Sequence, residues 1–332
     1  MELTQRLLAG DRRALARLIS LVENDGVAAR AALAEVYPHT GCAHIIGVTG
    51  APGVGKSSLV NELAKAYRRR RATVGIVAVD PTSPFSGGAI LGDRVRMNDL
   101  AGDRGIFIRS MASRGSLGGL AAATADAIKL LDAAGFQKIF VETVGAGQTE
   151  VDITRAAHTT IVVAAPGMGD DIQAIKAGIM EIADLFAVNK ADREGADAAA
   201  MTIQMMLDMN GSDAGRWTHH GLLADTIHPE ASRASEVWKP SIRMTVATTG
   251  EGVDALVDCL EAHRAYLEMS GRLEERRRRM AAMEIEDILR RELLKGILGC
   301  VSSSDMRSLV DQVASRQLDP YGAAEMLLSK LA

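Results

Sequence analysis

Residues 45–57 read Ile-Ile-Gly-Val-Thr-Gly-Ala-Pro-Gly-Val-Gly-Lys-Ser. A short β-branched run gives way to a glycine loop, a lysine and a hydroxyl, and then to a helix-forming stretch. Few folds accept that order. The G-x-x-x-x-G-K-S spacing is a phosphate cradle, in which glycines let backbone N–H groups turn inward where a Cβ would obstruct them. The following helix aims its positive end at the same point. A strand leading through such a loop into a helix is the building unit of doubly wound α/β sheets. The sequence therefore predicts an α/β chain of the P-loop NTPase class with a mainly parallel sheet. Gly50, Ala51, Pro52, Gly53, Val54, Gly55, Lys56, Ser57 and Ser58 are expected around the phosphates. Lys56 should reach the β- and γ-phosphates, and Ser57 should ligate Mg2+.

The rest of the chain carries the pattern such a sheet needs. Candidate strands lie at 45–49, 74–79, 106–108, 138–141, 160–163, 185–188 and 242–246. Several are apolar without alternation, as expected for parallel strands covered on both faces. Candidate helices at 57–70, 119–134, 172–180 and 198–207 fall between them. Residues 1–43 read as a helical extension, with Leu3, Leu7 and Leu8 and then Leu15, Leu18, Ile19 and Val22 at helical spacing. Residues 44–262 are the expected nucleotide domain. Residues 263–332 read as a helical arm, with Ile285, Ile288, Leu289, Leu293 and Ile297 on one stripe. Such an arm outside a complete domain suggests a homodimer contact. Asp319 and Pro320 are placed as cap and first residue of a last helix.

Composition narrows the partners. The 332 residues carry a net charge of −4, so no global field draws the chain to nucleic acid. The arginine runs at 68–71 and 276–279 suit a helix C-terminus and a solvated helix. Cys42, Cys259 and Cys300 have no zinc-ligand spacing and cannot all pair, which favours a reducing, cytoplasmic setting. No apolar run approaches the roughly 18 residues that a membrane span requires, so a soluble protein is expected.

A second motif names the base. Asn189-Lys190-Ala191-Asp192 follows the candidate strand at 185–188. A carboxylate at Asp192 can accept from both N1–H and the exocyclic amine of guanine, whereas adenine offers no such donor pair. Pairing of this kind discriminates by roughly 10⁴-fold. The Lys190 stem would lie over the base, Asn189 would hold loops together, and Ala247, after the last strand, would offer its N–H to the guanine oxygen. For Mg2+, further hard oxygens come from Asp80 and Glu142 at strand ends. Glu142-Thr143-Val144-Gly145 would then bring the Gly145 N–H to the γ-phosphate.

Longer stretches are more particular. Val79-Asp80-Pro81-Thr82-Ser83-Pro84 is followed by Gly87-Gly88-Ala89-Ile90-Leu91-Gly92-Asp93-Arg94-Val95-Arg96-Met97, and later come Val141 to Glu150 and Gly167-Met168-Gly169-Asp170-Asp171-Ile172-Gln173. In this order they resemble the MeaB/ArgK/MMAA family of GTPases over most of the chain. The resemblance implies a dimeric GTPase that serves an adenosylcobalamin-dependent acyl-CoA mutase, chiefly methylmalonyl-CoA mutase. It would gate cofactor loading and protect or reactivate the mutase. GTP or GDP with Mg2+ would be bound, and turnover would be slow alone and accelerated by the partner. Residue by residue it implies Ser57, Asp80, Asp93 and Glu142 near the metal, with Asp93 in switch I and Gly145 to Gln148 as switch II. Residues 168–181, with Asp170, Asp171 and Lys176, would couple to the mutase. Lys56, Asp93 and Gln148 are the catalytic candidates; Gln148 would either position water or brace switch II. A small-molecule kinase and a metallochaperone GTPase are the alternatives. The first would need an acceptor pocket and an arginine-rich lid. The second would need His-rich or CxCC tracts, whereas only His219-His220 are adjacent among seven histidines. Direct cobalamin binding lacks its Asp-x-His-x-x-Gly motif.

Overall fold

The computed structural model describes residues 2–24, 26–80, 97–100, 102–112, 122–143, 153, 156–167, 182–210 and 237–329. Seven strands, β1 (His44–Thr49), β2 (Val74–Asp80), β3 (Ile106–Ala112), β4 (Lys138–Thr143), β5 (Thr159–Ala164), β6 (Leu185–Asn189) and β7 (Ser241–Thr245), form one sheet in the order β3-β2-β4-β1-β5-β6-β7. Every pairing is parallel. The expected strands are thus found, each within a few residues of its predicted ends. β7 stops before Val246, which turns into an antiparallel bridge with Glu251.

The lack of alternation in the strands has the predicted cause. In β5, Ile161 and Val163 pack with α4 (Lys56–Arg69) and α7 (Val253–Met269), while Val162 and Ala164 pack with α6 (Ala196–Asn210) on the other face. β6 divides likewise, Leu185 and Ala187 to one side and Phe186 and Val188 to the other. Both faces are dry, so all of these strand positions are apolar. α5 (Ala122–Ala133) sits against β2, where Gly75 leaves room for Leu131.

Three helices, α1 (Leu3–Leu8), α2 (Arg12–Val22) and α3 (Val27–Val36), precede the sheet and belong to the same compact unit. α2 is fastened to the edge of the sheet. Arg12 donates to the carbonyls of Asp103 (3.3 Å) and Arg104 (2.6 Å) and lies over the Phe107 ring. Arg109 of β3 pairs with Glu23. The buried Asp132 carboxylate receives N–H donors from Gly41 (2.6 Å), Cys42 (3.2 Å) and Ala43 (2.9 Å), which fixes the entry of the chain into β1. The arginines at the C-terminal end of α4 also pair within the protein, Arg68 with Asp103, Arg69 with Asp254 and Arg70 with Asp258.

Among the described residues the first compact unit runs to Glu274 and a second begins at Glu275. The second holds most of α8 (Arg272–Cys300), then α9 (Ser303–Ala314) and α10 (Pro320–Leu328). Asp319 caps α10 through the N–H groups of Tyr321 and Gly322, with Pro320 as its first residue. On α8, Ile285, Leu289 and Leu293 are exposed at 53%, 49% and 57%. Among the described residues, no helix is long and apolar enough to cross a membrane.

At the amino-terminal edge of the sheet lies a buried polar chain. His44 Nε2 is 2.7 Å from Thr159 Oγ1, which is 2.9 Å from His263 Nδ1. His263 Nε2 in turn faces Asp184 Oδ1 at 3.3 Å, and Trp238 packs on the His263 ring. Burial, then the nearby Lys138 ammonium, holds the His44 imidazole well below its ordinary range. The folded state keeps His44 neutral while the unfolded chain takes up a proton below about pH 6.5. Stability is therefore full above that pH and falls as the pH drops from about 7.5 to about 5.5. Urea titrations at the two pH values should show that loss, and His44→Asn should reduce it. An unchanged pH dependence in the variant would remove His44 as its source.

Candidate nucleotide site

β1 is the central strand and the point at which the winding reverses. The chain leaves it toward β2 on one side and later crosses from β4 to β5 on the other. The crevice beyond the carboxyl end of such a strand is where α/β sheets bind ligands. The glycine loop at 50–55 occupies it. Gly50, Gly53 and Gly55 all have positive φ, at 136°, 79° and 94°. A Cβ on Gly50 would meet the Val163 carbonyl oxygen of β5 at 2.2 Å, and one on Gly55 would meet Asn189 Nδ2 at 2.4 Å. Glycine is thus required twice, by conformation and by close approach. Gly55 immediately precedes α4, and no side chain caps that helix N-terminus. The positive end of α4 therefore faces the loop.

Lys56 is buried, and its ammonium donates to the carbonyls of Gly50 (2.7 Å) and Ala51 (2.9 Å). Ser57 Oγ donates to Glu142 Oε1 at 2.5 Å. Glu142 is 4% exposed and lies within β4, one residue before its end, rather than just after the strand. A buried carboxylate against a hydroxyl is a hard-oxygen pair, the donor chemistry that Mg2+ prefers. Ser58 is exposed on the first turn of α4. Asp80 ends β2, two strands from β1 on the side of β4, and its side chain lies outside the described residues. Asp93, Gly145, Gln148 and residues 168–181 also lie outside them.

The loop after β6 joins the cradle directly. Asn189 Nδ2 donates to the Val54 carbonyl at 2.8 Å, and Lys190 Nζ donates to the Gly53 carbonyl at 2.6 Å. Asn189 Oδ1 accepts from the Ala247 N–H at 3.1 Å. Lys190 itself takes a left-handed φ of 57°, which turns the chain sharply after the strand. Asp192 follows two residues later and is exposed. The Ala247 segment is shaped by Gly252, whose φ of 75° lets the chain pass the Met244 carbonyl, where a Cβ would come within 2.0 Å. Cradle, Asn189 loop and Ala247 loop thus form one bonded frame at the carboxyl edge.

Residues 15–300 match the family profile described as Methylmalonyl Co-A mutase-associated GTPase MeaB. The chain belongs to the MeaB family. It is similar to GTPase ArgK of Escherichia coli, at 34% identity over 84% of this chain and 80% of that protein. A Pyrococcus abyssi protein, named only provisionally as a GTPase, is 48% identical over 99% of this chain and 96% of its own length. A crystal structure of a LAO/AO transport system kinase superposes with a TM-score of 0.69 at 25% identity, covering 98% of this chain and 95% of that one.

Within the MeaB frame, two contacts have no signature in the local sequence. The reach of Lys190 to Gly53 crosses 137 positions. A hydroxyl pair, Thr143 to Thr49 at 3.2 Å, fastens the ends of β4 and β1. The Asn189 contacts were legible only as a general role for that residue type. Asn189→Ala would break its bonds to Val54 and Ala247 and leave a buried N–H unsatisfied, at a cost of about 1–3 kcal/mol. Thermal or urea unfolding of the variant should show that loss together with weakened binding of both GTP and GDP; wild-type values for both would exclude the frame.

Proposed function

We propose that this MeaB-family GTPase binds GTP–Mg2+ in the crevice above β1 and uses its hydrolysis to time cofactor loading and protection of an adenosylcobalamin-dependent acyl-CoA mutase. The observation that carries the nucleotide reading is the bonded frame itself. Val54 and Gly53 of the cradle are held by Asn189 and Lys190 of the base loop, so the phosphate and base positions are set relative to each other before any ligand arrives. The family description, a methylmalonyl-CoA mutase-associated GTPase, supports the choice of partner. So does the similarity to the mouse protein named Methylmalonic aciduria type A homolog, mitochondrial, at 30% identity over 85% of this chain and 64% of that one. It favours neither the kinase nor the metallochaperone reading.

In this reading the Lys56 ammonium exchanges its two loop carbonyls for β- and γ-phosphate oxygens. Ser57 and Glu142, with Asp80 and Asp93, would hold Mg2+, which would supply positive charge against the charge that develops in transfer. The backbone of Gly50 to Ser58 cradles the phosphates, and Gly145 approaches the γ-phosphate. Gln148 or Asp93 orients the attacking water. Asp192 accepts from the guanine edge beneath the Lys190 stem, and Ala247 borders the base. Turnover is slow until the mutase completes the site, and residues 168–181 carry the nucleotide state to it. The arm from residue 263 onward, with its exposed apolar stripe on α8, pairs two copies of the chain. Residues 1–43 and 44–262 remain the helical preface and the nucleotide domain.

Asp192→Asn should lower GTP affinity by about 100-fold or more and raise affinity for the xanthine nucleotide, which presents a carbonyl where guanine has its amine. Unchanged GTP affinity would remove Asp192 from the base site. Co-purification with adenosylcobalamin-dependent mutases, with GTP turnover measured with and without each, tests the partner. Absence of both complex and stimulation for all of them would overturn the chaperone role and leave the GTPase reading standing.

A further inference from the structure

The last two residues of β4, Glu142 and Thr143, grip opposite ends of the phosphate cradle. Glu142 accepts the Ser57 hydroxyl at 2.5 Å, just beyond the loop. Thr143 Oγ1 donates to Thr49 Oγ1 at 3.2 Å, just before it. Consecutive strand residues point to opposite faces of a sheet, so the two contacts brace the loop from both sides. The register makes this possible: Val48 pairs with Glu142, which sets Thr49 beside Thr143 as the strands end. On its other flank the loop is stopped by β5, where Gly50 crowds the Val163 carbonyl.

The chemistry of the threonine pair is hard to explain by packing. Thr49 and Thr143 are 0% and 1% exposed, in a sheet whose other interior positions are largely apolar. Valine has the same branched shape, suits a strand equally well, and carries no hydroxyl to desolvate. Two buried hydroxyls that bond each other gain direction at little gain in stability. The chain runs on from Thr143 toward Gly145, two residues later.

We propose that Thr49 and Thr143 are positioning residues for GTP hydrolysis. Their hydroxyl pair fixes the direction in which the chain leaves β4 relative to the cradle, and so aligns the two segments that must meet the γ-phosphate together. This rests on the GTPase reading above, and on Gly145 approaching the γ-phosphate.

The test uses the full-length protein and four variants: T49V, T143V, T49V/T143V and T143S. Urea midpoint, GDP affinity, and kcat and KM for GTP are measured for each. The single valine variants should be less stable and slower. The double variant should recover most of the lost stability, because neither hydroxyl is left unpaired. Its kcat should nevertheless stay down by about 10- to 100-fold, the scale of a small misplacement of reacting groups, with GDP affinity within about twofold of wild type. T143S keeps the hydroxyl and should keep most of kcat. A double variant that regains wild-type kcat along with its stability would overturn the proposal, as would a T143S variant as slow as T143V. Wild-type protein that fails to turn over GTP would instead overturn the GTPase reading, and this proposal with it.

Discussion

The Asn189 carboxamide joins three loops that come from distant parts of the sequence. Its amide donates to the cradle at Val54, and its oxygen accepts from Ala247 beyond β7. The residue itself ends β6, so the side chain is aimed by a strand buried on both faces. Such a group is satisfied only if all three loops arrive together, and leaving either half of the carboxamide unpaired would cost about 1–3 kcal/mol. The left-handed turn at Lys190, the close passes at Gly55 and Gly252 and the bridge between Val246 and Glu251 all serve that meeting. The order of strands follows the same demand, since β1 and β6 are separated only by β5 and their loops emerge on one edge.

The opposite edge of the sheet is built from different chemistry. There His44, Thr159, His263 and Asp184 link the first residues of β1 and β5 to α7 and to the entry of β6. Thr159 can bond both rings if it accepts from one and donates to the other. With a His263 Nε2–H turned to the Asp184 carboxylate, its Nδ1 is the acceptor and His44 Nε2 the donor. One proton arrangement therefore satisfies the chain in a single direction, which anchors α7 at the end of the sheet remote from the nucleotide crevice. The carboxyl edge is left to loops, and the amino edge holds the helices in place.

Much of this was legible in the sequence because it depends on local pattern. Strands covered on both faces are largely apolar, and the runs at 45–49 and 185–188 announce that at once. The cradle was legible because its glycines answer a backbone requirement that no other residue meets as well, and Asp319-Pro320 announced the start of α10 for a similar reason. What could not be read are contacts set by the packing of elements against one another. Arg12 on the carbonyls of 103 and 104, Asp132 beneath the N–H groups of 41–43, and Thr143 on Thr49 join residues about 90 positions apart. No local period encodes such pairs, because each partner alone has an ordinary surface or strand role. Glu142 shows the same limit in small: the motif marked the residue, and only the register of β4 against β1 showed that it lies inside the strand and faces Ser57.

The state of Lys56 explains how a buried cation can wait for a polyanion. An ammonium taken out of water without acceptors would carry a penalty of several kcal/mol. Here the Gly50 and Ala51 carbonyls supply the acceptors, and the loop that supplies them is the one whose N–H groups face the phosphates in the nucleotide reading. In that reading, binding becomes an exchange of partners for Lys56, carbonyl oxygens for phosphate oxygens, rather than a fresh desolvation. The gain comes from charge-assisted bonds replacing dipolar ones. It is reached with little rearrangement only if the backbone already turns as the cradle requires, and the positive φ angles of Gly50, Gly53 and Gly55 provide that turn. A side chain at Gly50 or Gly55 would remove both benefits together, since the same displacement that relieved the clash with Val163 or Asn189 would move the carbonyls away from Lys56.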